Sequence, residues 1–232
     1  MSDPRMLPTG RAHLAALTGP VAALESDVDR IDDWGRRLAA VLVGGGRLLA
    51  VGNGGSAAQA QHLTSELVGR YRDDRPGFSA IALHAETSSL TAVGNDYGVK
   101  EIFARQVRAH GRPGDVLVAI STSGRSPNVL AAVGAAEASQ MTTWALTGRS
   151  PNPLADAADE AVTVEAPATA TVQEVHQIVV HLLCAAVDVA VGASAGGEAW
   201  EGWDPDQDLQ RLMASGPEGE RPSREAVRRR SR

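Results

Sequence analysis

The chain holds 232 residues, 43% hydrophobic and 22% charged, which is room for one α/β domain with a sizeable core and too little for two comfortable ones. A formal charge of -6 offers no general attraction to nucleic acid or to an anionic membrane, and the one basic cluster, 221–232, reads as a solvated end. Cys184 is the one cysteine, so no intrachain disulfide is open to it, and the apolar run around it marks a small core hydrophobe. There is no charged leader before an apolar segment and no uninterrupted apolar stretch of about 18 residues, so the sequence predicts a cytoplasmic protein with no membrane partner.

Leu14, Leu17, Val21, Leu24, Val28, Ile31, Trp34, Leu38 and Val41 recur at intervals of three or four. That period predicts one long or two shorter amphipathic helices from Arg11 to Leu42, with an expected kink or break at Pro20. Strands and helices then alternate. Strands are predicted near Leu48 to Val51, Ser79 to Leu83, Val116 to Ile120, Thr142 to Ala145 and Glu160 to Val164. Helices are predicted near Ser56 to Gly69, Thr87 to Val93, Glu101 to His110 and Pro127 to Ala138, and a closing helix from Thr171 to Gly192. Short apolar strands separated by helices predict a parallel sheet covered on both faces, which binds ligands beyond the carboxyl ends of its strands. The chain divides into an N-terminal helical segment (1–35), the α/β domain (36–192) and a tail (193–232). In that tail Trp200 and Trp203 could dock on a neighbouring surface, against a general absence of core pattern.

Two turns stand at the predicted carboxyl ends. RLLAV runs into GNGGSAAQAQHLTSE, Gly52 to Glu66, and DVLVAI runs into STSGRSPN, Ser121 to Asn128. A Gly- and Ser-rich turn between strand and helix presents backbone N–H groups, small hydroxyls and a helix N-terminus, which suit a phosphate. Ser121, Thr122, Ser123 and Ser126 could surround such a dianion without a lysine, or cap the following helix, or both. His62 and Glu66, four apart, project from one helix face about 40° apart, where an exposed polar face is the simpler reading and a metal or base pair the sharper one. On the closing helix Gln173 and His181 are about 80° apart and border one side, while His176 falls off that direction and reads as structural or exposed. The apolar neighbours of His181 predict its burial.

Taken in order, GNGGS, ELVGRYRDDRPG, AVGNDYG, GDVLVAISTSGRSPN and VQEVHQIVVH resemble the SIS (sugar isomerase) domains and, within them, the phosphoheptose isomerases, from about Arg36 to Val191. That family interconverts sedoheptulose 7-phosphate and D-glycero-D-manno-heptose 7-phosphate through an enediol. The resemblance implies a doubly wound five-stranded parallel sheet, a flavodoxin-like three-layer sandwich with N-terminal helices packed between subunits of a homotetramer. It places active sites at the subunit contacts. It implies Glu66 as base and His181 as acid, with substrate held by Asn53, Gly54, Gly55, Ser56, Glu66, Asn95, Asp96, Ser121, Thr122, Ser123, Ser126 and Gln173. It also implies one zinc per subunit on His62, Glu66, Gln173 and His181. Arg70 stands between a site role and a solvent-facing one, and Ala57 and Ala58 replace the His or Cys that family members often carry after GNGGS. Two rival readings are an SIS isomerase of a different phosphosugar and a non-catalytic SIS adaptor associating with the replication initiator. Such adaptors lack the glutamate and second histidine, positions held here by Glu66 and His181.

Overall fold

The computed structural model describes residues 10–193. Five strands, β1 (Leu48–Val51), β2 (Ala80–Ala82), β3 (Val116–Ser121), β4 (Thr142–Thr147) and β5 (Glu160–Thr163), form one sheet in the order β2-β1-β3-β4-β5, every pairing parallel. This is the doubly wound five-stranded sheet the sequence predicts. Every residue of β1 and β3 is buried, because an all-parallel sheet is covered on both faces and its central strands meet no water. The period of two sends Leu48, Ala50, Val116, Val118 and Ile120 into one apolar layer and Leu49, Val51, Leu117 and Ala119 into the other.

Eight helices surround the sheet among the described residues: α1 (Gly10–Ala23), α2 (Val28–Val43), α3 (Gly55–Val68), α4 (Thr87–Tyr97), α5 (Glu101–His110), α6 (Pro127–Ala138), α7 (Pro153–Ala157) and α8 (Thr169–Val191). The first layer is covered by α2, α3 and α8, and the second by α5, α6 and α7. The predicted boundary between residues 35 and 36 falls inside α2, whose Ile31, Trp34 and Leu38 are fully buried in the first layer. Trp34 stacks on Trp144 at 4.8 Å. Pro20 does not break its helix. It sits inside α1, no residue of which is buried, so the carbonyl that its missing N–H leaves free can meet water. The break falls four residues later, in a 3-10 turn over Leu24–Asp27 that carries the chain into the core at Leu24. Helix α4 runs past the predicted Val93 to Tyr97, so Asn95 and Asp96 are helical, and α7 was not predicted at all.

Helix α8, mean hydropathy 1.6, is the one helix among the described residues long and apolar enough to cross a membrane. Its apolar side chains, Val172, Val175, Val179, Val180, Leu183 and Val187, are instead part of the first-layer core. The predicted tail with Trp200 and Trp203 lies outside the described residues.

Candidate active site

Strand β1 has β2 on one side and β3 on the other, and the chain leaves β1 for α3 in one layer and β3 for α6 in the opposite layer. A crevice opens beyond the carboxyl ends at such a switch point. The two turns singled out in the sequence form its rims. They are joined by a reciprocal amide pair: Asn53 Nδ2 donates to Asn128 Oδ1 at 2.9 Å, and Asn128 Nδ2 donates to Asn53 Oδ1 at 2.8 Å. The Asn53 side chain is therefore committed to the neighbouring turn. Ser126 occupies the N-cap position of α6, with Pro127 following, but makes no capping bond; its hydroxyl lies 3.1 Å from that of Ser121. Ser123 Oγ accepts from Arg125 N–H at 3.2 Å. Pro127 has no N–H and the Val129 N–H donates to Asn128 Oδ1 at 3.0 Å, so it is the hydroxyl cluster beside the start of α6 that suits an anion. Residue 148, after β4, must be glycine, since a Cβ there would lie 2.1 Å from the carbonyl oxygen of Thr122.

Helices α3 and α8 lie side by side and bring the remaining predicted residues together in two groups, Gln173 with Gly55 and His181 with His62 and Glu66. Gly55 opens α3 directly against the Gln173 side-chain amide; a Cβ on it would come within 2.4 to 2.7 Å of that group. One turn on, Gln59 Nε2 donates to the Gln173 carbonyl. Further along, His62 Nε2 stands 3.0 Å from His181 Nε2 and 3.2 Å from Glu66 Oε1. Gln177 Nε2 lies 3.1 Å from the same His181 nitrogen, and because a ring nitrogen offers one proton or one lone pair, the tautomers of the two rings decide which neighbour it pairs with. Tyr71 closes the group, its ring 5.5 Å from that of His181.

The donor set of two imidazoles, a carboxylate and an amide oxygen suits zinc. Two ligands of a tetrahedral zinc at its usual bond lengths sit about 3.3 Å apart, close to the 3.0 and 3.2 Å separations about His62 Nε2. As placed, no three His, Cys, Asp or Glu side chains among the described residues surround one point, so closing the quartet round an ion takes side-chain rotation. By donor chemistry the four residues fit, and the spacing about His62 fits for Glu66 and His181, while Gln173 lies against Gly55 and Gln59 at the start of α3.

One expectation about burial is corrected. His181 is only partly buried, and the fully buried histidine is His176, whose Nε2–H donates to the Thr147 carbonyl at 3.0 Å while Nδ1 has no partner. Burial pushes its pKa down to about 4, against the opposing hydrogen bond to Thr147. The two residues are five apart, about 140° around α8, so one faces β4 and the other α3. Asn95 and Asp96 are exposed on α4, where Asn95 Nδ2 donates to Asp96 Oδ1 at 2.8 Å; this protomer's own contacts do not bring them to the His62 group. Arg70 is exposed, with Nη1 donating to the Arg72 carbonyl at 3.2 Å. Cys184 is buried as predicted, and its thiol is pushed up to about 12 by burial first and then by the Glu66 and Asp188 carboxylates, with Arg75 opposing. Sequence reasoning missed Asn128, Gln177 and Arg75. Gln177 had a signal: it lies midway along the stripe from Gln173 to His181, about 40° from each.

A hydroxyl-lined turn at the switch point of a doubly wound sheet, with a His and carboxylate group on the helices beside it, has the chemistry to receive an anion and to transfer protons. Residues 14–148 match the model of the SIS domain family. A phosphoheptose isomerase of Streptomyces coelicolor is 63% identical over 192 residues, spanning 81% of this chain and 83% of its own length. Solved phosphoheptose isomerases from Neisseria gonorrhoeae and Francisella tularensis share the fold with TM-scores of 0.70 and 0.70, at 41% and 34% identity, over 77% and 78% of this chain and 96% and 100% of theirs. The chain belongs to the SIS-domain family and, within it, to the phosphoheptose isomerases, which makes it an isomerase.

Proposed function

We propose that this isomerase converts sedoheptulose 7-phosphate to D-glycero-D-manno-heptose 7-phosphate through an enediol. The observation that supports the reading is the hydroxyl cluster of the β3 turn, joined through Asn53 and Asn128 to the turn that opens α3, the helix that carries His62 and Glu66 beside His181. Ser121, Thr122, Ser123 and Ser126, with the α6 N-terminus, hold the phosphate, and Asn53, Gly54, Gly55 and Ser56 line the sugar side. Glu66 removes the proton from C1 of the ketose, and the electron pair forms the C1–C2 double bond. His181 gives a proton to O2, completing the enediol. Collapse then forms the C1–O1 carbonyl as O1 gives its proton back to His181, and Glu66 returns a proton to C2. Zinc, held by His62, Glu66, Gln173 and His181, would polarise the carbonyl and hydroxyl oxygens as a Lewis acid.

His181 is thereby given two duties on one atom. Its Nε2 is the nitrogen that faces His62, and a lone pair donated to a metal is not free to carry a proton. Chelation separates them: loss of rate in chelator, restored by added zinc, assigns the nitrogen to the metal, and a full rate in metal-free protein assigns it to the acid.

We further propose a cytoplasmic homotetramer whose active sites are shared between chains. Support comes from α1 and α4, 14 and 11 residues long, neither of which buries a residue in the protomer, and from the exposure of Leu14, Tyr97 and Val99 on or beside them. A neighbour covering α4 would bring Asn95 and Asp96 into a site. Light scattering should give four times the chain mass. The decisive measurement is turnover: sedoheptulose 7-phosphate incubated with pure protein should yield an aldoheptose phosphate by NMR. No product from any phosphosugar would favour the adaptor reading, and product only from another sugar would move the substrate assignment.

A further inference from the structure

The chain places an arginine where the two helices of the candidate site end, and its bonding goes beyond that of a surface ion pair. Arg75 follows α3 in the loop toward β2, and its side chain is fully buried. Its Nε donates to Asp188 Oδ1 of α8 at 2.7 Å, its Nη2 to the carbonyl of Glu66 at 2.6 Å, and its Nη1 to the carbonyls of Leu67 and Pro76, each at 3.0 Å. The guanidinium lies 5.0 Å from the Phe78 ring centroid. The last carbonyls of a helix have no intrahelical donor, and a cation there also meets the negative end of the helix dipole. Arg75 supplies both to α3, and Asp188, itself buried, supplies the countercharge from α8.

The residue whose carbonyl Arg75 holds most closely is Glu66, the base of the proposed reaction. The helix that supplies the countercharge also carries Gln173 and His181. We infer that Arg75 is a positioning residue: with Asp188 it fixes the end of α3 against α8, and so the placing of Glu66 and His62 relative to His181. The inference rests on the isomerase reading. Two helices side by side can slide or rotate by a fraction of a turn at little cost to their apolar packing, whereas a forked guanidinium with fixed partners on both admits one register. Lysine cannot substitute, because three donors on one nitrogen cannot span Asp188 and the carbonyls of Glu66, Leu67 and Pro76 at once.

The test uses the full chain with Arg75→Lys, which keeps the charge and loses the fork, and Arg75→Met/Asp188→Leu, which removes both charges together and leaves no ion unpaired. In folded protein, judged by circular dichroism, kcat should fall about 10- to 100-fold in either variant, the scale set by an ångström of misplacement. KM for sedoheptulose 7-phosphate should stay within about twofold, because the phosphate turn lies on β3 and α6 and is untouched. The imidazole signals of His62 and His181 in a histidine nitrogen–proton spectrum should shift in both variants, which a role in bulk stability alone would not cause. Wild-type kcat in a folded variant overturns the inference, as does activity lost only in proportion to unfolded protein. If the wild type itself does not isomerise the sugar, the isomerase reading fails, and the imidazole spectrum still decides whether Arg75 sets the histidine pair.

Discussion

Replacing Glu66 by glutamine should reduce turnover by at least about a hundredfold, the low end of what a positioned acid or base contributes. The amide keeps the shape of the side chain but cannot accept the carbon-bound proton. Its neighbours tell against a large structural cost: Glu66 is partly buried, and its side-chain contact to His62 at 3.2 Å can be made by an amide oxygen. His181→Asn should fall comparably. Substrate binding should persist in both, because Ser121, Thr122, Ser123 and Ser126 lie on another element of the fold. Zinc content must be measured with the rate, since both residues are proposed ligands. A near-normal rate in Glu66→Gln would end the proton-transfer assignment, whatever the metal does.

A second large effect is expected from pH. His176 has its pKa lowered from 6.5 to about 4 in the fold, chiefly by burial. Between those values the unfolded chain takes up a proton that the folded one refuses. Stability is therefore complete above about pH 6.5 and declines as pH falls toward 4, by about 3 kcal/mol in all. His176→Gln keeps a donor for the Thr147 carbonyl and cannot titrate. Urea unfolding of the two proteins at pH 7.5 and pH 4.5 should show the wild type losing more stability than the variant. Parallel losses would show that His176 takes up its proton without cost, through an opening that the static fold does not contain.

The sheet was readable because parallel strands buried on both faces are written as unbroken apolar runs, and Leu48–Val51 and Val116–Ile120 are such runs. The turns were readable because Gly and Ser between strand and helix have few other uses. What escaped has physical reasons. Helix α7 is five residues long, too short to show a period. The burial of His181 was inferred from its sequence neighbours, which on a helix point elsewhere, and the buried ring proved to be His176. Arg75 sits in a charged stretch, RYRDDRPG, where an arginine reads as solvated; only the arrival of Asp188, 113 residues away, makes it a core residue. Long-range partners of that kind leave no local trace. The pairing of Asn53 with Asn128 is another case, 75 residues apart.

That amide pair bears on how such a protein can change over time. Each asparagine gives the other one hydrogen bond and receives one from it, so the fit is mutual and neither partner is free to vary alone. Aspartate at either position would set two acceptors face to face, and leucine would leave the opposite side-chain NH2 without its acceptor. The turn after β1 and the turn after β3 are thus coupled as a single unit. A lineage that reshapes one rim of the crevice for a different ligand must pass through a coordinated change in the other, and new specificity is more accessible from residues that the pair leaves alone.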